Sequence, residues 1–394
     1  MRKRRLRKLK VLVLTSMPWG ILWQRPQQVS AELARRGHTV LYCNTSIELR
    51  PSSLVSSRNE NRLFMLRKTA EKLSVMNLFT LPFQGRARVL SERFSLLLLN
   101  AYLRIFAVKP DVALFYSPQD VFIVNLLKSK KVKIAYDCVD EHLAFPNVVD
   151  ISKVLTAETQ LVVKSDVVTV VSGRLWRKIS RINPNCFTIP NAADFVHFNK
   201  AMNMRARPAE MKNLKRPVVG FIGAIWDWIN IDLICKIATL HPEYSIVLIG
   251  PVYYGSSKLA EHSNIIVVGH KQYGSLPEYL SAMDVCLIPF KINELTLASS
   301  PIKMYEYLAA GKPVVSTDLP EVRASASELV YIGEDDKDFI EKVEIAIDEK
   351  KRIDRETLVA RRMMFAQENS WEKRVDTLER LLVRLCGNEL ALKD

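Results

Sequence analysis

The sequence predicts an α/β protein built from two doubly wound domains, each a parallel sheet with helices on both faces. Three observations carry this. Short β-branched runs alternate with helical patterns along the whole chain. Those runs are apolar throughout instead of alternating, as in strands buried on both faces. The chain has 394 residues, and at roughly 100–200 residues per domain that is two domains.

In the first half the strands are expected at Val11–Thr15, Thr39–Asn44, Asp111–Tyr116, Lys133–Asp137, Val167–Ser172 and Phe187–Ile189. In the second they are expected at Val218–Gly223, Ser245–Gly250, Asn264–Val268, Val285–Pro289, Pro313–Ser316 and Val330–Ile332. The stretch Asn199–Arg216 is polar, basic and contains Pro208. It suggests a first domain over 1–199, a linker over 200–216 and a second domain over 217–368. A last helix within 369–394 is marked by Trp371, Val375, Leu378 and Leu382, one apolar stripe at spacings of four, three and four. Asn369, three residues before Glu372, has the form of a capping box with Asn as the cap.

The segment 51–108 breaks the rhythm. Arg86, Arg93 and Arg104 fall on one helical face, and Phe94, Leu96–Leu99, Leu103, Ile105 and Phe106 cover the rest. Such a helix either packs on a sheet or lies in a membrane surface.

The formal net charge is +15, which attracts polyanions: nucleic acid, an anionic membrane face or phosphorylated substrates. Seven of the first ten residues are Lys or Arg. The apolar run behind them is too short for a signal peptide, and no run is long enough to span a membrane. The cysteines Cys43, Cys138, Cys186, Cys235, Cys286 and Cys386 form no CxxC pair. Most lie in or beside apolar strands, as small core residues of a reducing compartment do. A cytoplasmic protein is expected, held at most peripherally on the inner face of the membrane.

The most informative passage runs from Ser299 to Ser316, SSPIKMYEYLAAGKPVVS. Ser300 suits an N-cap, Pro301 the first helical position and Gly311 the left-handed C′ position, with Pro313 closing the helix. The helix follows the strand Val285–Pro289, so its N-terminus points into the crevice beyond the carboxyl ends of a parallel sheet. Its free N–H groups suit a phosphate. Lys303 stands in the first turn, and Glu306 is three residues on, along the same face. Such a cation beside a diphosphate and a carboxylate able to accept both ribose hydroxyls fit a nucleoside diphosphate. A plain surface ion pair is the competing reading.

Glu306-Tyr-Leu-Ala-Ala-Gly311-Lys-Pro313-Val-Val strongly resembles the nucleotide-sugar motif of the group 1, family 4-like glycosyltransferases. Gly269–Tyr273, Leu276–Pro289 and Ile189-Pro-Asn191-Ala-Ala-Asp194 resemble further family segments in the same order. The resemblance implies the GT-B fold: two Rossmann-like domains facing across a cleft, with the C-terminal helix crossing back to the first. It implies that Glu306 holds the donor ribose, with Gly223, Tyr273, Ser299, Ser300 and Lys303 also on the nucleotide-sugar. Two departures stand out. A second glutamate carried by many relatives is Ala298 here, and the cations after the second domain's first strand are replaced by Gly223-Ala-Ile-Trp226-Asp227-Trp228. These put the donor sugar and the usual retaining stereochemistry in question.

In the first half, Trp23-Gln-Arg25-Pro-Gln27 follows the first strand. Indole rings stack on sugars and Arg25 can grip a phosphate or carboxylate, so Trp23, Arg25 and Gln27 are expected at the acceptor. The alternative is a helix start packed on its own domain, with Arg25 at its surface. Trp-x-Arg-Pro-Gln resembles a bacterial subgroup, the teichuronic acid biosynthesis glycosyltransferases. Asp137-Cys-Val-Asp140-Glu141-His142 closes another strand. Asp140, then His142, are the candidate acid–base groups, although Asp137 or Asp140 capping the next helix is a competing reading. No histidine sits in a metal-ligand spacing. Asp336-Lys-Asp338 reads as a helix start, and such transferases work without a metal, so neither metal nor cofactor is expected.

The expected function is transfer of a sugar, most simply from a UDP-sugar, to a cell-envelope glycan or lipid-linked acceptor. The partners are the donor, the acceptor and an anionic membrane, not nucleic acid. A nucleotide-sugar epimerase on the same fold and a non-catalytic basic binding protein are the rivals. A nicotinamide dehydrogenase is disfavoured because no GxGxxG follows any strand.

Overall fold

The computed structural model describes residues 7–20, 22–48, 66–81, 88–146 and 148–387. The chain divides into two compact units. The first comprises the chain up to Ile189 and again from Val375, the second Pro190–Arg374. Each is a doubly wound α/β unit, the architecture the apolar runs predict.

The sheet of the first unit has eight strands: β1 (Lys10–Thr15), β2 (Thr39–Glu48), β3 (Leu66–Ala70), β4 (Leu73–Thr80), β5 (Val112–Phe115), β6 (Lys133–Cys138), β7 (Val167–Val170) and β8 (Cys186–Thr188), in the order β3-β4-β2-β1-β5-β6-β7-β8. All neighbours pair in parallel except the β3–β4 hairpin. The second sheet has six parallel strands, β9 (Val218–Ile222), β10 (Ser245–Ile249), β11 (Ile265–Gly269), β12 (Val285–Ile288), β13 (Val314–Thr317) and β14 (Tyr331–Gly333), in the order β11-β10-β9-β12-β13-β14. In both sheets the order reverses beside the first strand, leaving a crevice at the carboxyl ends of β1 and β5 in one and of β9 and β12 in the other. Every residue of β5, β7, β9, β10, β12 and β13 is buried, as strands covered on both faces must be.

Three expectations shift. The segment 51–108 supplies β3 and β4 in addition to a helix. Polar Ser74 and Asn77 interrupt β4, and β3 is almost wholly exposed, so neither shows an unbroken apolar run. The division of the chain at Ile189 falls before the stretch 200–216 expected as a linker. Ala201 and Met211 are buried in the second unit's core, which ties that polar-looking stretch to it. The helix Trp371–Cys386 is preceded by Ser370, whose hydroxyl accepts from Lys373 N at 3.4 Å, whereas the Asn369 amide donates to Phe365 O at 2.8 Å. Ser370, not Asn369, is therefore the cap. Trp371, Val375, Leu378 and Leu382 are buried as their spacing predicts.

The helix Arg88–Ile105 packs on its sheet through Ser91, Ser95, Leu99, Tyr102 and Leu103. Ser95 Oγ donates to Phe79 O at 2.8 Å, and Ser91 Oγ accepts from Leu81 N at 2.8 Å. Arg86 and the run Arg2–Leu6 lie outside the described residues.

Asp120, beyond β5, is 4% exposed and accepts from Thr45 Oγ1 at 3.0 Å. Burial pushes its carboxyl up to about 7. The folded state therefore holds a proton that the unfolded chain has released, and this contribution to stability is lost as pH rises from about 4 through about 7. Asp120→Asn keeps an acceptor for Thr45 and removes the titration. We expect its stabilising effect to grow from pH 4 to pH 8 by on the order of 1–4 kcal/mol. Thermal unfolding at the two pH values checks this, and an equal shift at both would refute the account.

Candidate functional site

In the second unit the chain leaves β9 at Gly223, beside the point where the sheet order reverses. Gly250, at φ +144°, packs so tightly there that an added Cβ would come within 2.0 Å of Gly223 O. Backbone, not side chain, thus lines the carboxyl ends of β9 and β10. A Cβ on Gly223 would meet the Phe221 ring at 2.7 Å and lie 3.6 Å from Lys303 Cε, so Lys303 stands beside this glycine.

Lys303 belongs to the helix Ile302–Ala309, which follows β12. Its N-cap is Pro301, with no side-chain cap, one residue later than the expected Ser300 cap. Ser300 instead fastens a neighbouring segment: its Oγ accepts from Asn191 N at 3.2 Å, and Asn191 Nδ2 donates to its carbonyl at 2.7 Å. Ser299 Oγ donates to Thr296 O at 2.7 Å. Both serines shape the approach to the helix. At the other end Gly311 takes φ +64°, with Gly311 N on Leu308 O at 3.0 Å and Lys312 N on Tyr307 O at 3.1 Å. This is the left-handed stop that the glycine predicts.

Glu306 is 3% exposed, and Lys303 Nζ donates to its Oε2 at 2.7 Å. Burial raises the Glu306 pKa, and the Lys303 charge draws it back. The ion pair that the sequence left as an alternative is thus formed, but with Glu306 buried and not as a surface pair, near the uncapped end of a helix. An anion arriving there meets first-turn N–H groups, the helix dipole and the Lys303 ammonium together.

Tyr273 stacks on His197, ring centroids 4.4 Å apart and planes 13° apart, and its carbonyl lies 2.9 Å from His197 Nε2. One face of the ring is therefore covered from within the same unit. Ala298 is fully buried. Where family cations would follow β9, Trp226 stacks on Tyr253 at 4.1 Å and on Trp228 at 5.6 Å. No local pattern marks that stack, because Tyr253 comes from the loop after β10.

In the first unit the expected acceptor residues part company. Arg25 is 3% exposed, and its Nε and Nη2 donate to the two Asp137 oxygens at 2.8 and 2.9 Å. Its Nη1 donates to Ile189 O at 2.9 Å. Gln27 is fully buried: its Oε1 accepts from Gln24 N, and its Nε2 donates to Pro18 O, both at 3.2 Å. Both residues hold the loop after β1 in place and are not presented to a ligand. This is the packed helix start of the alternative reading, except that Arg25 is buried within it instead of lying at its surface. Trp23 is half-buried, edge-on to Trp19 at 5.0 Å.

Beyond β6, Asp140 and His142 are both partly buried. Desolvation pushes Asp140 up to about 7 and His142 down to about 4. Neither Asp137 nor Asp140 caps the next long helix. Asp150 does so, accepting from Lys153 N at 3.0 Å. Asp336 and Asp338 open the helix Asp336–Asp348 as expected. The fold does bring Cys138, His142 and Glu158 together, which no spacing in the sequence shows.

Residues 216–349 match the family described as glycosyl transferases group 1. Over 184 residues the chain is 26% identical to a Bacillus subtilis (strain 168) protein, TuaH, named as a candidate teichuronic acid biosynthesis glycosyltransferase. That match covers 45% of this chain and 46% of the relative, so it spans less than half of either. Sucrose-phosphate synthase from Thermosynechococcus elongatus superposes with a TM-score of 0.74 at 13% identity, over 96% of this chain and 100% of that one. HepE of Anabaena, solved with UDP and glucose, superposes with a TM-score of 0.66 at 13% identity, over 95% and 99%. Residues 216–349 are thus similar to the group 1 glycosyltransferases, and the two-sheet architecture gives the chain the GT-B fold.

Proposed function

We propose that the protein transfers a sugar from a UDP-sugar to a cell-envelope glycan or lipid-linked acceptor. The observation that carries this reading is the uncapped start of the helix Ile302–Ala309, with Lys303 in its first turn beside Gly223. In the reaction the bond from the anomeric carbon to the diphosphate breaks, and negative charge grows on the leaving oxygen. The helix N-terminus and Lys303 stabilise that charge where it develops. Glu306 accepts the ribose hydroxyls once Lys303 turns toward the diphosphate. Tyr273 borders the base, with Gly223, Ser299 and Ser300 shaping the pocket. Asp140 is the group that faces the acceptor hydroxyl, and Trp23 is the surface on which an acceptor sugar stacks. The fixed positive groups take the place of a metal at the diphosphate, so turnover is expected to be the same with and without added Mg²⁺.

The test is turnover by the purified protein with UDP-, GDP- and ADP-sugars. We expect Lys303→Ala to lower kcat about 10- to 100-fold with a smaller change in KM, because leaving-group charge peaks in the transition state. An unchanged kcat with a raised KM would limit Lys303 to ground-state binding. Release of an epimerised sugar nucleotide without acceptor would replace transfer by epimerisation.

The acceptor class is supported by the name of the Bacillus subtilis relative and by the surface of the first unit. The helix Arg88–Ile105 leaves Leu90, Leu97, Ile105 and the adjoining Phe106 exposed, on the side that bears Arg93 and Arg104. Apolar side chains flanked by arginines suit the interface of an anionic membrane. Among the described residues no helix is long and apolar enough to cross one. We expect binding to anionic vesicles that high salt reverses and that weakens when Arg2–Lys10 is removed. Equal binding to neutral vesicles would exclude the electrostatic attachment.

A further inference from the structure

We propose that Cys138, His142 and Glu158 form a zinc site in the first unit. Cys138 ends β6, His142 opens the short helical turn His142–Ala144, and Glu158 comes from the helix Ile151–Lys164. One ligand atom from each lies within 4.8 Å of the others, and Cys138 Sγ is 3.9 Å from Glu158 Oε1. Zinc bonds sulfur at about 2.3 Å and oxygen at about 2.0–2.2 Å, so one ion fits across that gap with little movement.

Three features mark the cluster as more than a packing accident. First, His142 Nε2 is buried and has no hydrogen-bond partner. A buried imidazole nitrogen left unpaired costs free energy, and a metal bond removes that cost. Second, the carboxylate is already oriented. Glu158 is 2% exposed, and Lys178 Nζ holds its Oε2 at 2.8 Å, leaving Oε1 toward Cys138, with Tyr136 Oη at 3.3 Å. Ligating carboxylates commonly have such an outer partner. Third, the charges close. Lys178 also donates to Glu141 Oε1 at 2.5 Å, so one ammonium stands among two carboxylates. A divalent ion binding with loss of the thiol proton to solvent, Cys–SH + Zn²⁺ → Cys–S–Zn⁺ + H⁺, brings the group to neutrality. Thiolate, imidazole and carboxylate in one site favour zinc over the oxygen-seeking Mg²⁺ and Ca²⁺.

Three protein ligands leave a fourth position for water. The ion would pin the turn between Cys138 and His142 onto the helix Ile151–Lys164, and Asp140 sits within that turn. His142 then acts as a positioning residue and not as an acid or base. The three ligands belong to the first unit and the helix start at Pro301 to the second, so metal uptake tests this site independently of the proposed handling of the diphosphate.

The test uses the full chain, stripped with chelator and dialysed against Zn²⁺ or Co²⁺. The expected result is about one zinc per chain by elemental analysis. With Co²⁺ we expect a thiolate-to-metal charge-transfer band and tetrahedral d–d bands. Cys138→Ser should abolish the charge-transfer band and weaken zinc binding at least tenfold. Glu158→Gln should weaken binding similarly but retain the band, so the assignment stays testable if one variant folds poorly. Cys235→Ser, at a half-exposed cysteine outside the cluster, should bind as the parent does. Failure to take up zinc stoichiometrically would overturn the proposal, as would uptake and a charge-transfer band that survive Cys138→Ser.

Discussion

Glu306→Gln is expected to lower kcat/KM for the donor roughly 10- to 100-fold while the protein stays folded. A hydrogen bond to a charged acceptor is worth about 1.5–3 kcal/mol, and the amide keeps the shape of the carboxylate without its charge. The fold should tolerate the exchange, because Glu306 is 3% exposed and burial opposes its ionisation. What it loses is the Lys303 contact at 2.7 Å, and Lys303, with a side chain 24% exposed, can turn to water. Steady-state kinetics with the donor varied, beside a thermal unfolding curve, separate the two effects. A variant that turns over donor as well as the parent would show that the ribose is held elsewhere. A variant that loses activity only because it unfolds would leave the ion pair as a structural element, as the sequence alternative had it.

The parts of this molecule that could be read from its sequence are those governed by local rules. The strands expected in both halves lie where apolar runs place them, because a strand covered on both faces needs such a run whatever surrounds it. Gly311 announced its left-handed conformation because a helix ending before Lys312-Pro313 needs a residue without a Cβ there. What stayed hidden depends on distant partners. Strand β4 is held by β2 despite Ser74 and Asn77. Asn191 and Ser300 meet across 109 residues, and Glu158 reaches Cys138 from a helix whose sequence shows no metal spacing. Cap positions moved by one residue at both Pro301 and Ser370, within the usual uncertainty of helix ends.

The burial of Arg25 leads to the other large expected effect. A guanidinium after the first strand of such a domain looks like a ligand group in sequence, since position at a sheet's carboxyl edge is all the sequence shows. The structure turns it inward, onto Asp137, which is itself fully buried and also accepts from Thr169 Oγ1 at 2.7 Å. Removing one member of a buried pair leaves the other charge uncompensated, at a cost of roughly 3–5 kcal/mol. Arg25→Met is therefore expected to lower the unfolding temperature of the first unit sharply and to reduce soluble yield. Arg25→Met combined with Asp137→Asn removes both charges and leaves Thr169 an acceptor. It should recover more than half of the loss, which differential scanning calorimetry of parent, single and double variants would measure. An acceptor-binding role makes the opposite forecast: the single variant folds normally and raises only the acceptor KM, and Asp137→Asn restores nothing. A normal unfolding curve for Arg25→Met would return Arg25 to the acceptor.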